Sequence, residues 1–223
     1  MNDPVAHGPY RGKRLVDLAL LAVVAVPAAV VGLPCALAVW LTSRGPVLFR
    51  QERVGHDGRP FDMLKFRTMV HGDNPVFPDA DRITTVGRLL RRTSLDELPN
   101  LLNVWRGEMS VVGPRPTLAY QVARYTDRQR GRLAVNPGLT GLAQIRGRNA
   151  LTWAARIDHD LEYVATQSAW LDLRICLATV RVAFTGAGVE GHPGDDPLAT
   201  PPEHPDLPGP PRPPDHPDDT SPA

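Results

Sequence analysis

The chain opens with one uniformly apolar stretch, continues with a short region that alternates, and then runs through several segments with helical spacing. The apolar stretch is Leu18–Ser43, LALLAVVAVPAAVVGLPCALAVWLTS, 26 residues without a charge. As one straight helix it would reach about 39 Å at ~1.5 Å per residue. That exceeds a hydrocarbon core of roughly 30 Å, so the pattern predicts a membrane segment. Arg11, Lys13 and Arg14 precede it, and Arg44, Arg50 and Arg53 follow it. Positive charge on both flanks gives a simple span no direction and fits two ends on the cytoplasmic face. Pro27 removes an amide near the middle, and Gly32 and Pro34 weaken the second half, which predicts a helix–break–helix that enters the bilayer and returns. An ordinary spanning helix tolerates a proline and stays open as the alternative. A cleaved signal peptide fits less well, because the apolar run is longer than the usual hydrophobic region of such a peptide.

Beyond the membrane segment, Gly45–Met69 reads as strands and turns: Val47-Leu48-Phe49, a turn at Asp57-Gly58, then Phe61–Phe66. Arg82–Arg92 places Ile83, Val86, Leu89 and Leu90 on one helical face and arginines on the other. Leu98–Arg106 and the Arg-rich Leu118–Leu133 are further expected helices, separated by a rigid loop at Pro114–Pro116. Pro137–Gly147 has turn chemistry, and Trp153–Phe184 is largely helical, with Leu171, Ile175, Ala178 and Val182 in rhythm. Arg174 and Arg181, seven apart, share a face and reach toward lipid head groups. His192–Ala223 holds 12 of the 24 prolines with almost no large apolar side chain, the composition of a disordered tail. The expected fold class is therefore α+β: a mostly helical cytoplasmic domain with a short β-hairpin region, anchored by an N-terminal re-entrant membrane segment. Its boundaries fall at a basic flank over 1–14, the re-entrant hairpin over 15–43, a catalytic domain over 44–191 and the tail over 192–223.

Charge sharpens this picture. The formal net charge is only +1, yet the chain up to Gly191 carries 24 basic against 17 acidic residues, and the tail carries seven acidic and one basic. A basic body with an acidic tail suits a phosphate-rich partner such as anionic lipid or nucleotide. Basic positions are almost all arginine, so the two lysines, Lys13 and Lys65, stand out as positions where arginine has not taken over. Cys35 and Cys176 have no metal or redox spacing, which points to a reducing compartment. The seven histidines form no ligand pair at helical spacing.

The segment Arg91-Arg92-Thr93-Ser94-Leu95-Asp96-Glu97-Leu98-Pro99-Asn100 carries the densest chemistry. Ser94 and Glu97 match an S-x-x-E capping box, a purely structural reading. Either helix register puts Asp96 at a helix N-terminus close to Arg91 and Arg92, where positive charge and free amides favour an ionised carboxylate and attract phosphate. Such a carboxylate binds a divalent metal or attacks phosphorus. In Gly113-Pro114-Arg115-Pro116 two prolines fix the backbone around one arginine, which suits bidentate phosphate recognition; the bland alternative is a surface loop. Arg146-Gly147-Arg148 repeats the theme, and Lys65 and Arg67 alternate about Phe66, which on a strand puts both charges on one face. Gly186–Gly191 matches G-x-G-x-x-G but follows a helix, whereas the dinucleotide fingerprint follows a strand. Asp79-Ala80-Asp81 and Asp158-His159-Asp160 match the short D-x-D pattern, which occurs too often by chance to weigh much.

These residues together resemble the bacterial sugar transferase family, the small monotopic phosphoglycosyl transferases. The likeness runs from about Arg11 to Gly188 through KRLVDLAL, GPVLFRQERVG, FDMLKFRTM, DRITTVGRLLRRTSLDELPNLLNVWRGEMSVVGPRP, NPGLTGLAQIRGRN, LEYV and SAWLDLRI. It implies a membrane hairpin that does not cross, bent at Pro27, in a bacterial inner-membrane enzyme facing the cytoplasm. It implies an Asp-Glu dyad at Asp96 and Glu97, with Asp96 attacking the β-phosphate of a UDP-sugar, Mg²⁺ bound at Asp96, and UMP released. The phosphosugar then passes from Asp96 to polyprenyl (undecaprenyl) phosphate, the first membrane step of a surface glycan. Arg91, Arg115 and Arg148 would contact phosphates, with Lys65 and Arg67 as further candidates. One departure is Val26 before Pro27 where the family often has Ser, which removes a hydroxyl cap at the bend. The expected partners are a UDP-sugar, polyprenyl phosphate and membrane lipid; a homodimer stays open. The competing readings are direct glycosyl transfer through a D-x-D site, a basic membrane-surface scaffold, and a nucleic-acid binder. Few aromatic residues and the membrane segment argue against the last, so no nucleic acid is expected.

Overall fold

The computed structural model describes residues 8–43, 45–70, 82–147 and 150–185, and the account below concerns those residues. The apolar stretch forms most of α1, Lys13–Thr42, a single helical element of 30 residues with Pro27 and Pro34 inside it. The expected helix–break–helix is thus not a gap in helical backbone. Each proline removes one amide and frees one carbonyl, those of Val23 and Val30 by the i−4 pattern, while the Leu, Val and Ala turns on either side keep their own bonds. Thr42 Oγ1 and Ser43 Oγ donate back to Ala38 O at 2.6 Å and Val39 O at 2.9 Å, closing the C-terminal turn.

Both ends of α1 dock on the rest of the protein. At the N-terminal end Lys13 Nζ donates to Asp17 Oδ1 at 2.8 Å and to Asp172 Oδ2 at 2.9 Å, with all three side chains buried. Tyr10 and Tyr163 each donate to Asp172 at 2.8 Å, and Asp17 also accepts the Val111 amide at 2.9 Å. Arg14 caps carbonyls of Val104 and Trp105 at 2.5 and 2.7 Å, the cation-at-helix-end arrangement. Leu21 packs with Val104 and Met109. At the other end Val39 packs with Phe66 and Leu90. Between them Val23, Val26, Val30 and Leu33 stand about 70% exposed (74, 71, 67 and 71%), an apolar surface with no protein over it.

After α1, strands β1 (Leu48–Val54) and β2 (Pro60–Phe66) form an antiparallel hairpin with Phe49 opposite Lys65 and Arg53 opposite Phe61. Its turn uses left-handed backbone at Asp57 and Gly58, as the Asp-Gly pair predicts. Helix α2, Thr85–Thr93, is N-capped by Thr84, whose Oγ1 accepts the Gly87 amide at 2.9 Å. Gly87 passes so close to Thr68 that an added Cβ would lie 2.0 Å from its carbonyl oxygen. A 3-10 helix, Leu95–Asn100, leads into α3, Leu101–Arg106. Asn103 of α3 is fully buried; its Oδ1 accepts the Leu64 amide at 3.1 Å and its Nδ2 donates to Asp62 O at 2.7 Å, fastening α3 to β2.

The remaining chain corrects two expectations. Leu118–Leu133 is not one helix but α4 (Ala119–Ala123), α5 (Asp127–Arg130) and a 3-10 turn, Gly131–Ala134. Thr126 interrupts it, its hydroxyl accepting the Gln129 amide while Gln129 returns a bond to the Thr126 amide at 2.9 Å, a capping box that starts a new helix. Pro137–Gly147, expected as turns, contains β4 (Gly138–Thr140), parallel to β3 (Ser110–Val112), and α6 (Leu142–Arg146). Helices α7 (Trp153–Thr166) and α8 (Ala169–Thr185) follow; Tyr163, Val164 and Ile175 close the core around Val112, Val135 and Leu142. The protein is mostly helical with few strands and one long apolar N-terminal helix, which is consistent with membrane anchoring. The tail over 192–223 lies outside the described residues.

Lys13 is the cation between two buried carboxylates. Replacing it by Met leaves both without a counter-charge, a change that costs roughly 3–5 kcal/mol. Lys13→Met should therefore lower the unfolding temperature of the detergent-solubilised protein sharply, whereas exposed Arg11→Met should leave it nearly unchanged. Equal stability of the two variants would contradict the structural role given to Lys13.

Candidate active site

The site is assembled from three separate stretches of backbone. The strand period puts Phe49, Gln51 and Arg53 on one face of β1, and Lys65 of β2 faces the same way because it pairs with Phe49. Helix α2 delivers Arg91 in its last turn and stops at Ser94, which takes a left-handed conformation (φ 57°) and donates its amide to Arg91 O at 3.2 Å. That turn throws Asp96 and Glu97 into the first turn of the 3-10 helix. The capping-box reading of Ser94 and Glu97 does not hold: the Ser94 side chain makes no cap bond, and the Glu97 carboxylate points elsewhere. The third stretch is the Gly113–Pro116 loop, held against β4 by Gly113 N to Thr140 O at 2.9 Å and Gly138 N to Pro114 O at 2.8 Å. Only glycine fits at 113, where a Cβ would meet Asn136 O at 2.4 Å.

These stretches converge on Glu97. Its Oε1 accepts Lys65 Nζ at 2.9 Å and Arg115 Nη2 at 2.8 Å. Burial alone would push the Glu97 carboxyl up, but the charges and hydrogen bonds of Arg115 and Lys65 hold it well below the usual carboxylate range. Asp96, the next residue, goes the other way: burial raises it, Glu97 adds to the rise, and Lys65, Arg91 and Arg115 only partly offset it. No hydrogen bond or ion pair to the Asp96 carboxylate occurs among the described residues. Two adjacent carboxylates thus have divergent environments, one neutralised by a cation on each side and one left open to the cleft.

Asp96, Glu97, Lys65, Arg67, Arg91 and Arg115 all line one cleft of about 1240 Å³. Their engagements differ. Arg91 is steered by Thr68 Oγ1 at 2.9 Å from its Nε. Arg67 donates to Ser43 O and Oγ at 2.8 and 2.9 Å, which ties it to the end of α1 rather than to the dyad. Arg148 lies outside the described residues. Pro27 lines the cleft together with Val24, Ala28 and Val31 of α1, so one wall is apolar and belongs to that helix.

Four lining residues carry no site role from the sequence: Gln51, Arg53, Arg132 and Asp160, although the first two lie in GPVLFRQERVG and Asp160 ends a D-x-D pattern. Strand alternation leading from the partner of Lys65 would have singled out the first two. Arg132 is buried beneath the 113–116 loop, paired with Asp160 and donating to Arg115 O at 2.8 Å, Tyr125 Oη at 2.8 Å and Thr117 Oγ1 at 3.2 Å. It fixes the backbone from which Arg115 reaches Glu97. Asp158, by contrast, is exposed and pairs with Arg128 at 2.8 Å. Asp158-His159-Asp160 therefore does not present two carboxylates to one ligand, and Asp79-Ala80-Asp81 lies outside the described residues.

Among the described residues no three His, Cys, Asp or Glu side chains come together to hold a metal ion. An all-protein cage is not what Mg²⁺ requires, since it is commonly held by one or two carboxylates plus substrate phosphates and water. The unpaired Asp96 carboxylate in a cationic cleft fits that mode.

The family model described as bacterial sugar transferase matches residues 9–186. The uncharacterised sugar transferase EpsL of Bacillus subtilis is 42% identical over 181 residues, covering 80% of this chain and 90% of that protein. A UDP-glucose:undecaprenyl-phosphate glucose-1-phosphate transferase of Caulobacter vibrioides is 46% identical over 186 residues, covering 78% of this chain and 70% of the relative. The UDP-galactose-lipid carrier transferase of Erwinia amylovora is 38% identical over 172 residues, 67% of this chain but 36% of that longer protein.

Because Lys65 lowers the Asp96 carboxyl against the effect of burial, Lys65→Met should move the Asp96 titration to higher pH. Carbon-13 NMR of carboxyl-labelled aspartate, with Asp96→Asn used to assign the signal, reads this directly. A midpoint that stays in place or falls would show that Lys65 does not act on Asp96.

Proposed function

This chain belongs to the bacterial sugar transferase family, and we propose that it transfers a sugar 1-phosphate from a UDP-sugar to polyprenyl phosphate, releasing UMP, through a covalent intermediate on Asp96. The observation that carries the reading is the divergence of two adjacent carboxylates within a cleft that is cationic on one side and apolar on the other. Glu97 is occupied by Lys65 and Arg115; Asp96 keeps a lone pair for attack. In the first half-reaction an Asp96 oxygen bonds to the β-phosphorus, the bond from that phosphorus to the bridging oxygen breaks, and UMP leaves with the electron pair. In the second, an oxygen of polyprenyl phosphate attacks the same phosphorus and Asp96 departs as carboxylate, giving a polyprenyl diphosphate sugar.

The roles of the other residues follow from charge. Arg91 and Arg115 stand beside Asp96 in the cleft, where cations neutralise phosphate oxygens. Lys65 and Arg115 keep Glu97 ionised, so the dyad stays anionic and oriented. Arg148 joins them as a phosphate contact by its place in the shared motif. Mg²⁺, held by Asp96 together with substrate phosphates, would supply further charge neutralisation. The names of the relatives carry both glucose and galactose, so the hexose is a matter for assay. The Asp158–Asp160 geometry disfavours direct glycosyl transfer.

The apolar wall suits the isoprenoid tail. Docking of both ends of α1 on one body supports a helix that dips into the cytoplasmic leaflet at Pro27 and returns. Burial of Leu21 and Val39 by the same domain is hard to reconcile with ends on opposite faces of a bilayer. In cells, cysteines introduced at Asn2 and Ser43 should both resist labelling from the periplasmic side; labelling at one alone would mean a spanning helix.

Asp96→Asn preserves size while removing the anionic oxygen. The variant should fold and bind membranes, with UMP release from UDP-sugar and polyprenyl phosphate reduced by several orders of magnitude, the scale seen on loss of a catalytic nucleophile. Near-normal turnover would rule out Asp96 as nucleophile, and release of UDP instead of UMP would replace phosphosugar transfer by glycosyl transfer.

A further inference from the structure

The hairpin floor of the cleft holds one cation that the dyad does not use. Arg53 follows Gln51 by two residues on β1, and its Nη2 donates to Gln51 Oε1 at 2.7 Å. Its Nε is buried and has no hydrogen-bond partner, and no carboxylate pairs with it among the described residues. The groups acting on it are a second cation, Arg115, and more weakly Tyr120 and Glu97, whose Oε1 is already shared by two donors. Burial and the repulsion of Arg115 push the guanidinium down to about 10. Two guanidinium groups that repel each other in a half-buried place are unfavourable in the protein alone and become favourable when an anion lies between them.

Position along the strand chooses the anion. The Leu48 end of β1 lies at the membrane helix, because its cross-strand partner Phe66 packs on Val39 of α1. The Val54 end lies in the interior of the soluble domain, bonded to Thr117 O at 2.9 Å and packed with Val122, Tyr125 and Leu161. Arg53 is five residues from Leu48, roughly 16 Å at ~3.3 Å per residue. An isoprenoid tail belongs with α1, so the acceptor approaches from the Leu48 end and the water-soluble nucleotide occupies the other. We propose that Arg53 and Arg115 form an anion subsite for a phosphate of the nucleotide donor, with Gln51 holding the Arg53 fork in place. The assignment of the two ends rests on the transfer reaction proposed above.

Calorimetric titration of UDP into the detergent-solubilised full chain tests this without turnover. Arg53→Gln should weaken UDP binding at least tenfold. Arg53→Lys, which keeps the charge but loses the planar fork, should fall between, and uridine should not distinguish the proteins. In steady state the KM for UDP-sugar should rise with that for polyprenyl phosphate unchanged. Equal UDP affinity in wild type and either folded variant would overturn the subsite. A raised KM for polyprenyl phosphate with unaltered UDP affinity would give Arg53 to the acceptor and overturn the donor assignment. Wild type that binds UDP but never releases UMP would sink the transfer reaction while leaving the variant comparison intact.

Discussion

A single carboxylate oxygen joins three separate stretches of this protein's backbone. Glu97 Oε1 receives Lys65 from the hairpin and Arg115 from the Gly113–Pro116 loop, while Glu97 itself comes from the 3-10 turn after α2. Loss of either cation leaves a partly desolvated charge behind, so the interaction holds the three stretches in a common geometry. It also divides labour between neighbours. Cations on both sides drive Glu97 down, and burial without a direct partner drives Asp96 up. Titratable pairs whose environments separate them in this way mark acid, base and nucleophile assignments. Arg132 and Asp160 extend the arrangement one layer inward, since Arg132 grips the backbone carbonyl of Arg115.

The long apolar helix α1 is built into the same cleft. Lys13, Asp17 and Asp172 lock its N-terminal end to α8, and Val39 seals its C-terminal end over Phe66 and Leu90. Val24, Pro27, Ala28 and Val31 then line the cleft together with the cations. An amphiphile with a phosphate head and a hydrocarbon tail matches both walls at once, which a fully polar or fully apolar cavity would not.

Much of this was legible in the sequence, for identifiable reasons. The helical apolar run, the Asp57-Gly58 hairpin turn and the Arg-rich α2 each follow from a local rule that prevailed, whereas the break expected at Pro27 does not appear, because α1 continues through it. The two lysines in an arginine-rich chain sit in ion pairs, Lys13 between two aspartates and Lys65 on Glu97, so their rarity was a signal. The other failures depended on distant contacts. The S-x-x-E pattern at Ser94 looked like a cap, yet Glu97 finds stronger partners 32 residues before it and 18 after it. The parallel pairing of β3 with β4 rests on strands of three residues each, too short for a period to register. Arg53 lies in the GPVLFRQERVG stretch without a role attached to it, and Arg132 lies in no quoted motif; strand register singles out the first and burial the second.

The claim that Asp96 carries the sugar phosphate is tested most directly by trapping it there. Wild-type protein incubated with Mg²⁺ and UDP-sugar radiolabelled in the β-phosphate, with no lipid acceptor, should retain label in proportion to the UMP released. Fragmentation should map it to the peptide containing Asp96, and added polyprenyl phosphate should carry it into lipid. Label that stays with the nucleotide, or maps to any other residue, would contradict the account.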